Sequence, residues 1–577
     1  MTRPTVTPGV TQPEVSPNGA GGQPVGGGPG SAVGGVARPA AAGWGLPLAV
    51  LVVGTFMSVL DTSIVTVALP AIQKQFGVTV EDSQWVVTGY TLMLGVVVPT
   101  TAWLGDRFGL TRVYNLALLM FAAGSALCGL AWDLHSLVLF RIVQAVPGGI
   151  LPVITLSILF RIVPRDRLGA AMGLYGLGVV VAPAVGPTLG GYLVEYQSWP
   201  LIFFINVPIG ILGAVAAALV LPGFPGRAGQ RFDVLGFLTV GGGLFALLLA
   251  MSKGPDWGWD SYRILGLFTF GVLSLALFVV IELEVADPLL DIRIFRYRAF
   301  THSLLLIGVV IVVLTTVLVY IPQFLQVEQG WGAFESGLTL LPQALVMAVL
   351  MPLSGRVYDR IGPRWPSAIG LAIMAVSIYA LRTITIDTTR EHVMWLLVAL
   401  GVGLGMAMMP IFTSGLGVLP VTQVNNGSAF NNVVQRVGGA LGVAVLTAIF
   451  TAQSVQQMAG RAALVPANTP PLNLGPAAPL KLGGALTYTM TQTQANVGAM
   501  DDLFVIAAGL SALGALTALW LRSGPALAAP AGFAPPRQAT LRASTNGGPV
   551  QDGAVERNRI PSATAVGDGA QPDKPTG

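Results

Sequence analysis

The chain has 577 residues, of which 53% are hydrophobic and only 10% charged, and its mean hydropathy is +0.73. Ordinary soluble proteins carry about 25% charged residues, so the composition excludes a string of soluble domains and calls for an apolar solvent, which a bilayer supplies. The single cysteine, Cys128, excludes a disulfide framework or a multi-cysteine metal site, and a net charge of +4 leaves no footprint for nucleic acid.

In chain order, residues 1–44 are rich in Gly, Pro, Thr and Val and carry few charges, Arg3 and Arg38 among them. They read as a disordered tail, as do residues 523–577, rich in Ala, Pro, Gly and Ser. The first apolar stretch begins near Leu46, too late and too long for a cleaved signal peptide. Between the tails, fourteen apolar segments are centred near Met57, Leu92, Ala123, Ile150, Val181, Ile211, Gly242, Leu273, Leu314, Val346, Ala375, Gly405, Gly442 and Leu513. Each is long enough to cross about 30 Å of hydrocarbon as a helix, the form that satisfies its own backbone in lipid. The fold class expected is therefore an all-α polytopic membrane protein. Alternate short loops carry thirteen arginines, such as Arg161, Arg165 and Arg167, while the other set is poor in them. The positive-inside rule then puts both termini in the cytoplasm. Trp132, Trp199, Trp365, Trp395 and Trp520 fall at or beside expected span ends, the interfacial position such rings prefer. Only Lys74, Lys253, Lys481 and Lys574 are lysines among thirty basic residues, a bias that points to a GC-rich bacterial host.

A short motif recurs. The loop after the second span holds Asp106-Arg107-Phe-Gly109, followed by Arg112, and the loop after the tenth holds Asp359-Arg360-Ile-Gly362. The offset of eight spans implies two related six-helix bundles, residues 45–222 and 299–522, with two inserted helices in 223–298 and a long outer loop at about 453–500. In this turn the carboxylate can cap a helix N-terminus or pair with a nearby arginine, and the glycine permits a tight turn. Such a pair could latch the helix ends in one conformation; equally, the turn could only fix topology.

Charge inside the spans is scarce and so points to function. Asp61 lies about 21 Å from the start of the first span, and Arg141 about 9 Å from the opposite face in the fourth. These depths coincide, so the two could share a cavity if their helices are neighbours. Desolvation and a nearby arginine act on a carboxylate in opposite senses, a balance suited to binding and releasing protons; a structural ion pair is the alternative. The fifth span, with Gly173, Gly186, Pro187, Gly190 and Gly191, is smooth and bent, fit for a sliding seam or simply for close helix packing. Gln144, Gln323, Gln343, Met406, Met409 and Arg436 are candidates to line a substrate cavity, although methionines also serve as plain core. Glu282 and Glu284, at the end of the eighth span, are placed to snorkel to water.

Leu60-Asp61-Thr-Ser-Ile-Val-Thr-Val-Ala-Leu-Pro70, Arg141 with Gln144, the glycine–proline pattern from Gly173 to Gly191, and Phe203-x-Ile-Asn206-Val-Pro208 together resemble the fourteen-span drug:proton antiporters of the major facilitator superfamily. The resemblance covers nearly all of Leu46 to Arg522. The chain departs from the family pattern at Ala102, at Leu110 and Thr111, and at Ala145, Pro147 and Ala182. The resemblance implies the major facilitator fold and proton-driven export by alternating access. It implies proton coupling by Asp61 and Arg141, gating by the two Asp-Arg turns, and an exporter signature in the fifth span. No phosphate loop, zinc-protease or nucleophile-elbow motif is present, and His135, His302 and His392 form no cluster. An enzyme is thus not expected, nor a cofactor or metal. The expected partners are a small-molecule substrate, protons and the bilayer, in a monomer of the bacterial plasma membrane. An exporter of an endogenous lipid, siderophore or metabolite, and a non-transporting membrane sensor, remain alternatives.

Overall fold

A computed structural model describes residues 43–226, 229–285, 287–464 and 480–521. Every long regular element among them is a helix. The first eight are α1 (Gly45–Phe76), α2 (Val80–Val97), α3 (Thr100–Phe108), α4 (Leu110–Gly129), α5 (Leu134–Ile162), α6 (Leu168–Tyr196), α7 (Leu201–Phe204) and α8 (Asn206–Val220). Two follow at α9 (Val234–Trp257) and α10 (Tyr262–Glu284). The last six are α11 (Arg298–Gln323), α12 (Ala333–Ile361), α13 (Arg364–Leu381), α14 (Arg390–Gly417), α15 (Val424–Leu464) and α16 (Leu480–Ala518). Each of the fourteen expected centres falls in a different helix. Thirteen helices are long and apolar enough to cross a membrane, or up to fourteen if α2 and α3, bent 57° apart, form one span. The bend falls at Pro99, which removes a backbone donor where the helix would have continued.

Local chemistry sets the ends. The Thr79 hydroxyl accepts from the Asp82 amide at the start of α2. Asp133 and Ser136 form a reciprocal capping box at the start of α5, and those Ser136 bonds hold the Asp133 carboxyl below the usual carboxylate range. Gly77, at φ 64°, ends α1 in a left-handed turn.

Helices α1 to α8 pack mainly among themselves, as do α11 to α16. Between the two groups, α6 lies along α12 and α14, while α15 reaches α2, α3 and α5. Helix α5 is the innermost: 83% of its most apolar stretch is buried, against 17% for α10, which packs chiefly on α9 and turns the rest of its surface outward. Helix α9 touches α2 on one side and α15 on the other.

Two expectations differ from what is observed. The interval 453–500, read as a loop, is helical up to Leu464 and again from Leu480, with 465–479 outside the described residues. At 41 residues α15 is about 60 Å long, roughly twice the hydrocarbon thickness. Polar side chains join these extensions: Ser454 Oγ donates to Asn496 Oδ1 at 2.7 Å, and Asn496 Nδ2 to Glu328 Oε1 at 2.9 Å. Low hydropathy hid the helix there, because its contacts are polar. Glu282 does not snorkel; it is 1% exposed, and its Oε1 accepts from the Leu289 and Leu290 amides at 3.1 Å, tying the end of α10 to the turn beyond it. Glu284 is exposed as expected. Trp132, Trp395 and Trp520 are likewise open to the surroundings, but Trp199 is 4% exposed and donates to Gln75.

Candidate functional site

Helices α1 and α5 are neighbours, and they bring Asp61 against Arg141. Both side chains are fully buried. Arg141 Nη1 donates to Asp61 Oδ2 in a close ion pair, and also to Gln144 Oε1 at 2.8 Å. The other carboxylate oxygen, Asp61 Oδ1, accepts from Gln144 Nε2 at 3.0 Å and from Asn206 Nδ2 at 3.1 Å. Gln144 is oriented in turn by Ser125 on α4, and Cys128 Sγ lies 3.4 Å from its Oε1. Arg141 Nε donates to the Val86 carbonyl at 3.3 Å, and its guanidinium lies 3.8 Å from the centre of the Tyr90 ring. Four helices besides the pair's own therefore meet here: α2, α4 and, through Phe203 and Asn206, α7 and α8. Both ions have partners, as burial of charge requires.

The arginine-rich end of the molecule is closed. Asp359, near the end of α12, accepts from the Gly169 and Ala170 amides at 2.8 and 3.0 Å. It thereby caps the first turn of α6, where free N–H groups and the helix dipole favour a carboxylate. Beside it, Gly169 and Gly355 pack so closely that a Cβ on either would run into the carbonyl oxygen of the other. Asp106, near the end of α3, accepts from Asn425 Nδ2 at the start of α15. Gly109 and Gly362 follow these carboxylates at φ 89° and 81°, a backbone region that suits glycine. Of the two roles expected for the repeated aspartate, helix capping describes Asp359. Arg107, Arg112 and Arg360 form no ion pair among the described residues.

The glycines of α6 divide between two jobs. Gly173 lies against Met351 and Pro352 of α12, so it belongs to the contact between the two groups of helices. Gly186 and Gly190 instead meet Ser63 and Ile64 of α1, one turn beyond Asp61, while Pro187 is exposed and Gly191 has open space around it. In this conformation the contact between the two groups runs through Gly169 and Gly173, while Gly186 and Gly190 serve close packing within the first group.

The remaining cavity candidates do not converge on Asp61. Gln343 is buried beneath Gly401 of α14, Met409 packs beside Gly176, and the Met406 carbonyl accepts from Ser354 at 3.0 Å. Gln323 is half-buried at the end of α11. Arg436 alone stands near the cluster, since the adjoining Val437 packs on the Leu92 patch of α2, the helix that carries Tyr90. A separate cavity of about 80 Å³ beside Asp106 and Arg161 has room for a few waters only.

Asn206, Ser125, Tyr90 and Asn425 escaped the sequence reading. Asn206 left a signal, an amide among apolar residues at a span start, within a segment quoted for its resemblance but given no role. Tyr90 and Ser125 left none, since aromatic and small polar residues are common in membrane helices.

Residues 51–443 match the sequence profile described as Major Facilitator Superfamily. The chain is 33% identical over 418 residues to the tetracenomycin C resistance and export protein of Streptomyces glaucescens, spanning 71% of this chain and 78% of that one. It is 32% identical over 412 residues to the multidrug resistance protein B homolog of Mycobacterium tuberculosis, spanning 70% and 76% respectively. Its fold is similar to that of the major facilitator proton:xylose symporter XylE, with a TM-score of 0.54 and 12% identity over 83% of this chain and 96% of that one.

Proposed function

The chain belongs to the major facilitator superfamily, and from that premise we propose that it is a proton-coupled antiporter exporting small amphipathic molecules. The names of its relatives, a resistance and export protein and a multidrug resistance homolog, support export. The observation that carries the coupling is Asp61: a carboxylate at mid-membrane depth, wholly buried, with both oxygens held by Arg141, Gln144 and Asn206. Protonation of Asp61 removes one charge of a buried pair, and the helices that supply its partners, α5 and α8, are then free to shift against α1.

In this reading the arginine-rich end faces the cytoplasm of a bacterial cell, and both termini lie there. The bundles 45–222 and 299–522 rock against one another, with 223–298 beside them. The conformation is closed toward the cytoplasm by Asp359 on α6, Asp106 on Asn425 and the Gly169–Gly355 contact. Opening that side breaks these contacts and admits substrate; the contacts re-form before release outside, where Asp61 takes a proton from the outer medium.

The test is Asp61→Asn in purified protein reconstituted into liposomes under an imposed pH gradient. An amide resembles the protonated acid, which is itself a state of the cycle, so the variant is expected to insert and fold. It is expected to lose gradient-driven transport of a dye panel. Gradient-driven transport at the native rate, still collapsed by an uncoupler, would remove Asp61 from the coupling.

A further inference from the structure

Arg436 stands twelve residues beyond Val424 on α15, about 18 Å along the helix and so deep in the hydrocarbon layer. Its side chain is half-buried, and no hydrogen bond or ion pair to it is found among the described residues. A guanidinium at that depth is costly unless it is paired or reaches water. Helical geometry shows which way it points. Asn425, Asn432 and Arg436 are spaced by seven and four residues, which puts them on one face of α15. Asn425 on that face bonds to Asp106 of α3, so the face is turned toward α1–α8 rather than toward lipid. The neighbour of Arg436, Val437, packs on the Leu92 patch of α2, the helix that also carries Tyr90, whose ring lies 3.8 Å from Arg141. Arg436 is thus a cation at the interface between the two groups of helices, next to the Asp61–Arg141 pair.

The charges at this place do not cancel. Ionised Asp61 neutralises Arg141, and Arg436 leaves one positive charge over. Lys253, the other buried cation nearby, already has Asp256 at 2.9 Å. One mobile negative charge completes the balance, and a planar guanidinium offers it two parallel N–H donors. We infer that Arg436 is a substrate-binding residue that recognises an acidic group, and that the molecules this protein carries are amphipathic organic anions such as sulfonates, carboxylates or phenolates. The inference rests on the export reading, because it assigns Arg436 to the transport cavity, and it narrows that reading to one charge class. Permanently cationic lipophilic dyes are then poor ligands, being repelled by the same surplus charge.

The experiment compares two probes that share a ring skeleton: anilinonaphthalene sulfonate and its uncharged parent, N-phenyl-naphthylamine. Saturable binding above empty nanodiscs is measured on the full chain in lipid nanodiscs, with no pH gradient. The native protein is expected to bind the sulfonate at least about ten-fold more tightly than the parent, the contribution of one charge-assisted hydrogen bond. Arg436→Gln is expected to abolish that preference while leaving binding of the parent unchanged, and Arg436→Lys to keep part of it. Equal affinity for the two probes, no saturable binding of the sulfonate, or an undiminished preference in a monodisperse Arg436→Gln or Arg436→Lys protein would each overturn the assignment. Because binding is read without a gradient, failure of proton coupling in Asp61→Asn leaves this result standing. Conversely, gradient-driven export of neutral and cationic dyes without preference for the anion overturns the assignment and leaves the export reading intact.

Discussion

At Asp61 both carboxylate oxygens are occupied, so each partner can be removed with a separate consequence. Arg141→Ala leaves a buried carboxylate without its counter-charge, a change that costs about 3–5 kcal/mol in comparable pairs. The expected outcome is a large fall in the thermal midpoint of the purified protein, and recovery of much of that loss in Arg141→Ala/Asp61→Asn, where neither charge remains. A double variant no more stable than Arg141→Ala would contradict the view that the unpaired carboxylate is the cause. Arg141→Lys keeps the charge but loses the Val86 bond and the flat contact with Tyr90; it is expected to fold and to transport more slowly. The ion pair was legible in the sequence, because two charges at matching depth are conspicuous against an apolar background. Asn206 was not, because its part depends on α8 standing beside α1, which spacing does not encode.

Among the helices, α6 and α12 carry the closest approach between the two groups. Glycine at 169 and 355 leaves no side chain between their backbones, and Asp359 holds the two together by the amides of α6. Gly355→Leu places a branched side chain where backbone already sits. It is expected to hold the arginine-rich end open, which labelling of a cysteine introduced at Asn425, in a chain whose Cys128 is replaced by serine, would report as faster modification than in the same chain with Gly355. Asp359→Ala removes one helix cap, worth about 1 kcal/mol, and is expected to raise the same labelling rate more modestly. If the rate is unmoved in both, the contact does not close that end. The repeated Asp-Arg-x-Gly turns announced this region from sequence alone. The partners did not, since Asp359 bonds to backbone amides some 190 residues away, and no side-chain chemistry at 169 or 170 betrays it.

Taken whole, the molecule has its two groups of helices joined at one end by contacts of different kinds, α6 to α12 and α3 to α15. If both open together, fastening one must stop the cycle. Asp106→Cys with Asn425→Cys, in a chain whose native Cys128 is replaced by serine, is expected to form a cross-link under oxidation and to lose transport in liposomes. Reductant is expected to restore it to the level of the unoxidised double variant; unaffected transport by fully cross-linked protein would show that this end need not open. The order of the helices along the chain could be read from hydropathy because lipid imposes length and apolarity on each span. The reach of α15 and α16 beyond the bilayer could not, because water imposes neither. One arrangement bears on how such a motion is guided. Helix α9 lies against α2, where Leu92 meets Leu248 and Leu249, and also against α15, where Val437 and Ala440 adjoin the same patch. A body in contact with two others that turn relative to each other can stay fixed to only one of them. Its remaining face must act as a bearing, smooth enough to slip and greasy enough to exclude water while it does. If the two groups rock as proposed, the α9–α10 pair would serve as a fender along one flank, keeping lipid tails out of the gap between them.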